Sequence, residues 1–261
     1  MDNIKSELYP GANPGGGPET LAYKRAKRAL QAELIGAITG LVLSGFIFGH
    51  LILESTALFG VAVYDRVAYF MEHTLPLAQT VSIVIPFIFL IHFIFAGRKI
   101  PGLLYQRKRM LDLGMSLQKS RTIWNQKPGQ YTTLRPHFET TLWIWQVRTG
   151  MLVLILGGFH LVLAIWNVFT DMGYADTHGL TSVVSMARVA SGLWILYLFL
   201  GIGVVAHMSI GLYRAAVKWL ADTGFNRKIA LIVCTIIFLA YCLLNIAGVM
   251  SLAGMWEGVL A

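Results

Sequence analysis

Four histidines, His50, His92, His160 and His207, each lie inside a different long apolar run of this 261-residue chain. An imidazole is expensive in such a setting. It either faces a bundle interior and does chemistry, or satisfies itself by bonding a neighbouring helix. Neutral imidazole is a good axial ligand for iron, and two histidines on facing helices are how a helical bundle holds a b-type haem. The remaining histidines, His73, His137 and His178, fall in loops or at the edges of runs, where a solvated ring needs no special explanation.

The elements that must position the four rings are transmembrane helices. The chain is 56% hydrophobic and 13% charged, with a mean hydropathy of +0.63; a soluble domain carries about a quarter charged residues. Crossing about 30 Å of hydrocarbon takes roughly 20 residues at about 1.5 Å each. Five stretches qualify, at about 34–53, 77–95, 142–168, 189–212 and 229–252. Backbone groups in lipid must be satisfied within the segment, so helices are the expected form, and Pro86 is expected to kink the second. The expected fold is therefore all-α: a five-transmembrane-helix bundle holding two bis-His b-type haems. The division is a polar N-terminal segment over 1–30, a membrane domain over 31–253, and a long loop over 98–139. The Gly/Pro-rich segment Pro10 to Pro18 lacks an apolar core, so no removable leader is expected.

The net charge of +8 does not indicate nucleic acid, because the basic residues lie between the apolar runs. The N-terminal segment holds five Lys and Arg, the loop 98–135 nine, and the loop 214–228 four; the other two loops hold Arg66 alone. That asymmetry places the N-terminus in the cytoplasm. In the long loop, Leu103, Leu104, Met110, Leu111 and Leu117 interleave with Arg107, Lys108, Arg109 and Lys119. Two readings stand: a helix at the membrane surface that docks a soluble partner, or a solvated basic loop. Cys234 and Cys242 share one apolar run, and no CxxC or CxxCH spacing exists, which excludes a covalently attached c-type haem.

Direction then sorts the histidines by depth. The first and third spans run outward, so His50 and His160, late in each, share an outer level. The second and fourth run inward, so His92 and His207 share an inner level. About ten residues of helix separate the levels by roughly 15 Å. Gly203 and Gly211 flank His207, Gly49 precedes His50, and Gly157 and Gly158 precede His160. Such residues admit a flat macrocycle or serve ordinary helix packing.

The strings Gly49-His50, Leu90-Ile-His92 with Arg98-Lys-Ile-Pro101, Thr140-Thr-Leu-Trp143 with Thr149-Gly150, and His207-x3-Gly211-Leu-Tyr-Arg214-x2-Val-Lys218-Trp219 carry a family likeness. Over about residues 30–220 the chain resembles the di-haem cytochrome b subunit of succinate:quinone oxidoreductases, of the fumarate reductase and menaquinone-linked succinate dehydrogenase type. The resemblance implies a haem between His92 and His207 and a second between His50 and His160. It implies Trp143 and Lys218 near propionates of the inner haem, where an interfacial aromatic and a positive-inside charge are the plainer readings. It also implies that Glu72 takes part in menaquinol oxidation at the outer side; a carboxylate suits that role, because quinol oxidation releases protons to a nearby base. The implied partners are a flavoprotein subunit with FAD, an iron–sulfur subunit, menaquinone and the lipid bilayer, with a dimer of the complex left open. This chain has neither a GxGxxG motif nor cysteine clusters, so dicarboxylate chemistry belongs to the partners.

One position departs from the family. Some members carry a glutamate two residues before the fourth-helix histidine, where it conducts protons; here Val205 stands. Proton conduction is therefore not carried over. Two rivals remain at this level: the cytochrome b subunit of a hydrogenase or formate dehydrogenase, and a proton-coupled transporter. The second ordinarily shows repeats or broken helices, and no convincing repeat is legible.

Overall fold

A computed structural model describes residues 21–71, 77–125, 137–170, 185–186 and 188–254. Glu72, His73 and His178 lie outside these residues. Helix α1 spans Leu21–Glu54 and continues into a short 3-10 turn, Ser55–Phe59; α2 follows at Val61–Tyr69. Helix α3 is Leu77–Gly97, α4 is Ile100–Asn125 and α5 is Phe138–Thr170. A π-helical turn, Val189–Leu193, leads into α6, Trp194–Trp219; a 3-10 turn, Ala221–Thr223, then precedes α7, Arg227–Leu252. Among the described residues, five helical stretches are long and apolar enough to cross a membrane.

Hydrophobicity alone does not hold these helices together, since lipid is as apolar as leucine; close approach and polar contacts do. Helix α5 packs along α6, α6 along α7, and α1 along α3, while α3 meets α5 and α1 meets α6. Helices α1, α3, α5 and α6 thus surround an interior, and α7, packed along α6 and touching α1 and the Ser55–Phe59 turn, lines it as well through residues such as Asn245 and Gly248. Small residues mark the closest approaches. Gly36 of α1 lies against Ala96 of α3, and Gly201 of α6 against Asn245 of α7, whose Nδ2 donates to Leu198 O at 3.4 Å. Large apolar side chains such as Ile38, Phe87, Ile155 and Ile236 face outward.

Several boundaries differ from the sequence reading. Helix α1 begins 13 residues before the apolar run, because Lys24, Arg25, Lys27 and Arg28 extend the same helix beyond the hydrocarbon. Helix α3 ends at Gly97 rather than near residue 95, and Pro86 lies inside it. The fourth span begins in a π turn that closes at Gly192, whose φ of 95° suits glycine alone. The long loop carries the helix α4, which reaches Asn125. Helix α7 starts on Asn226, whose side chain accepts from the backbone N–H groups of Lys228 and Ile229 at 3.0 and 3.4 Å.

Candidate functional site

The four helices bring the histidines together in two pairs. His92 of α3 faces His207 of α6, with ring centroids 6.3 Å apart. His50 of α1 faces His160 of α5, with centroids 6.4 Å apart. All four line one interior cavity of about 1330 Å³, larger than the roughly 300–1,000 Å³ usual for a single small ligand.

The His92/His207 pair is held by a repeated device. His92 Nδ1 lies 3.1 Å from Gly36 O and 3.2 Å from Thr39 Oγ1, both on α1. His207 Nδ1 lies 3.0 Å from Gln146 O and 3.5 Å from Thr149 Oγ1, both on α5. Bonding to a carbonyl puts the proton on Nδ1 and leaves the Nε2 lone pair available. The residue after each threonine is glycine, and a Cβ built at Gly40 or Gly150 would meet His92 Cε1 or His207 Cε1 at 2.9 Å. The same string recurs: Thr39-Gly40, nine residues, His50, and Thr149-Gly150, nine residues, His160. This shared spacing was open to reading in the sequence. Cβ atoms at Gly203 and Gly211 would meet Leu152 and Gln146 of α5, and Gly211 also lines the cavity.

Around that pair gather the charges of the Lys/Arg-rich end. Glu33 of α1 bonds both Lys99 and Lys218, tying α1, α6 and the turn between α3 and α4 at one carboxylate. Lys218 Nζ also lies 5.1 Å from the centre of the Trp219 ring. Trp143 and Lys218 both line the cavity. Arg214 bonds the Gln146 side chain, the residue whose carbonyl seats His207. Tyr213 donates to Glu139 at 2.7 Å.

The His50/His160 pair is supported differently. His160 Nδ1 is buried with no hydrogen-bond partner, and Tyr197 meets its ring edge-on at 5.7 Å. His50 stacks on Phe46 at 5.2 Å. One turn beyond it, Glu54 places Oε1 4.0 Å from His50 Nδ1. The positive φ of Gly60, 100°, turns the chain so that α2 folds back and Tyr64 donates to Glu54 Oε2 at 3.1 Å. Burial, and then the Glu54 carboxylate beside it, hold the Tyr64 phenol protonated well above the usual tyrosine range.

Two imidazoles with a metal between them need a bond of about 2 Å on each side plus half of each ring, which comes to about 6 Å. Both pairs have that spacing. Among the described residues no cluster of three or more His, Cys, Asp and Glu could hold a metal, so a metal at either pair needs further donors of the kind a macrocycle supplies. The residues fit a haem.

Comparison with known proteins decides the family. Residues 124–244 match the model of the succinate dehydrogenase/fumarate reductase transmembrane subunit. The fumarate reductase cytochrome b subunits of Helicobacter pylori strains 26695 and J99 are each 30% identical over 220 residues, covering 82% of this chain and 73% of theirs. The chain belongs to this family. It is a multi-pass, cytochrome b-type membrane anchor of a succinate dehydrogenase/fumarate reductase complex, and the hydrogenase, formate dehydrogenase and transporter readings fall away.

Proposed function

We propose that this subunit holds two b-type haems and conducts electrons across the membrane, between an iron–sulfur partner on the cytoplasmic side and menaquinone on the other. The observation that carries this reading is the two histidine pairs, each at a spacing that admits a metal, on four helices around one cavity. Haem supplies reversible one-electron chemistry when bound. What this chain supplies is position. His92 and His207 would hold the inner haem, with Nδ1 of each tied to a carbonyl so that the Nε2 lone pair is left available. His50 and His160 would ligate the outer haem. Trp143 and Lys218, at the Lys/Arg-rich end, would approach the inner propionates, with Glu33 steering Lys218.

Basic groups at that end suit the docking of an iron–sulfur subunit and, beyond it, a flavoprotein that interconverts succinate and fumarate. Lys/Arg asymmetry supports a bacterial inner membrane orientation with the N-terminus in the cytoplasm. At the outer side Glu72 would receive protons released by menaquinol, a role that suits a carboxylate.

A reduced-minus-oxidised optical spectrum of the purified complex tests the reading: b-type bands with two haems per subunit are expected, and a ratio of one or zero rejects it. Replacing Glu72 with Gln should lower menaquinol oxidation by roughly 100-fold or more, the usual contribution of a positioned base, with both haems retained. Undiminished turnover would return Glu72 to an ordinary loop acid.

A further inference from the structure

The two histidine pairs are not equivalent. His92 and His207 each address Nδ1 to a backbone carbonyl on a neighbouring helix. His50 instead has a carboxylate at Nδ1, and that carboxylate is braced. Glu54 divides its oxygens: Oε2 accepts the Tyr64 hydroxyl at 3.1 Å, and Oε1 is 4.0 Å from His50 Nδ1. Tyr64 has one proton and gives it to Glu54, so the Ser185 hydroxyl, 3.2 Å away, donates to the phenol oxygen. The order Ser185 to Tyr64 to Glu54 points every proton toward the carboxylate and leaves Oε1 turned to the ring. Tyr64 is only 6% exposed, so the brace is anchored in the fold. The gap at His50 exceeds a hydrogen bond, but residues four apart on one helix are neighbours that close by side-chain rotation.

Resting on the two-haem reading, we propose that Glu54, braced by Tyr64 and Ser185, is the acceptor for His50 Nδ1–H and thereby a positioning residue for the outer haem. A carboxylate acceptor fixes the ring's orientation and makes the imidazole a stronger donor than a carbonyl does. A stronger axial donor favours the oxidised metal, so the outer site has a lower reduction potential than a carbonyl-seated histidine would give it. The inner site, seated on Gly36 O and Gln146 O, lacks this bias. The subunit therefore sets its two potentials apart through what stands behind the ligands, with the same ligand on all four sides.

Redox titration of the purified complex, followed optically, tests this on wild type, Glu54→Gln and Tyr64→Phe. Glu54→Gln is expected to keep both haems and to raise one midpoint potential while leaving the other in place. Tyr64→Phe keeps the negative charge but frees the carboxylate, and is expected to raise the same midpoint by less. The low-spin electron paramagnetic resonance signal of that haem should move in both variants as the ring reorients. Unchanged potentials in Glu54→Gln overturn the proposal, as does an equal shift of both haems. A shift in Glu54→Gln with Tyr64→Phe at wild-type values refutes the brace and leaves only a nearby charge. Should Glu54→Gln lose the outer haem, Tyr64→Phe decides alone: its raised midpoint supports the proposal and an unmoved one rejects it. Fewer than two haems in the wild-type complex would instead defeat the two-haem reading itself.

Discussion

Replacing His160 with alanine should halve the haem content of the purified complex and leave the other haem's spectrum and potential intact. His160 meets His50 at 6.4 Å between ring centres, and nothing else at that level offers a second imidazole among the described residues. The His92/His207 pair is supported from Gly36, Thr39, Gln146 and Thr149, none of which touches the outer rings. Thr149 and His160 are eleven residues apart on α5, about 16 Å along the helix axis, so the alanine cavity is remote from the inner seat and the two losses should be independent. His207→Ala is the mirror experiment and should remove the inner haem alone. The haem-to-protein ratio with optical spectra of both variants checks this; loss of both haems in either one would show that the sites are coupled or paired otherwise.

The second large effect concerns two glycines that no chemistry would single out. Valine at Gly150 should strip or loosen the inner haem while sparing the outer, and valine at Gly40 should do the same from the opposite side. A Cβ at either position stands 2.9 Å from the Cε1 of an inner histidine. Neither ring can swing away freely, because each is tied through Nδ1 to a carbonyl and to a threonine hydroxyl. Overpacking of this kind costs roughly 1–3 kcal/mol, or about 5- to 150-fold in retention of the group it displaces. Alanine should give a milder loss than valine. Haem content after detergent challenge reads the effect, and full retention in the valine variants would mean the seat is softer than its geometry.

The levels of the four histidines were legible in the sequence because depth follows from span direction and a fixed rise per residue, and both survive small errors in the helix ends. The Thr39 and Thr149 seats were not. A threonine inside an apolar helix ordinarily bonds its own preceding turn, and these do, at 2.7 Å to Ile35 O and 2.8 Å to Trp145 O; the second contact, to a histidine, exists only once two helices meet. Their signal lay in the repeated Thr-Gly-x9-His string rather than in either residue alone. Glu54 was invisible for another reason. It ends an apolar run as many interfacial acids do, and its link to Tyr64 depends on the turn at Gly60, a dihedral that residue types alone do not give. Lys218 read either as a neighbour of a propionate, by resemblance, or as a positive-inside charge; its bond to Glu33 depends on α1 extending beyond the hydrocarbon, which periodic hydrophobicity does not show.

Val205, at 0% exposure, is the most deeply packed apolar side chain among the described residues, and from Trp194 to His207 helix α6 carries no carboxylate. On the two-haem reading, an electron stepping between levels about 16 Å apart traverses roughly half of a 30 Å hydrocarbon layer. A full crossing is worth about 2.3 kcal/mol per charge at 100 mV, so this step is worth about half of that. With valine at position 205, and no other group carrying a proton alongside the electron, the membrane voltage would act on that step directly. Energising or discharging the membrane would then bias the subunit toward one direction of electron flow, as a change in substrate concentration does.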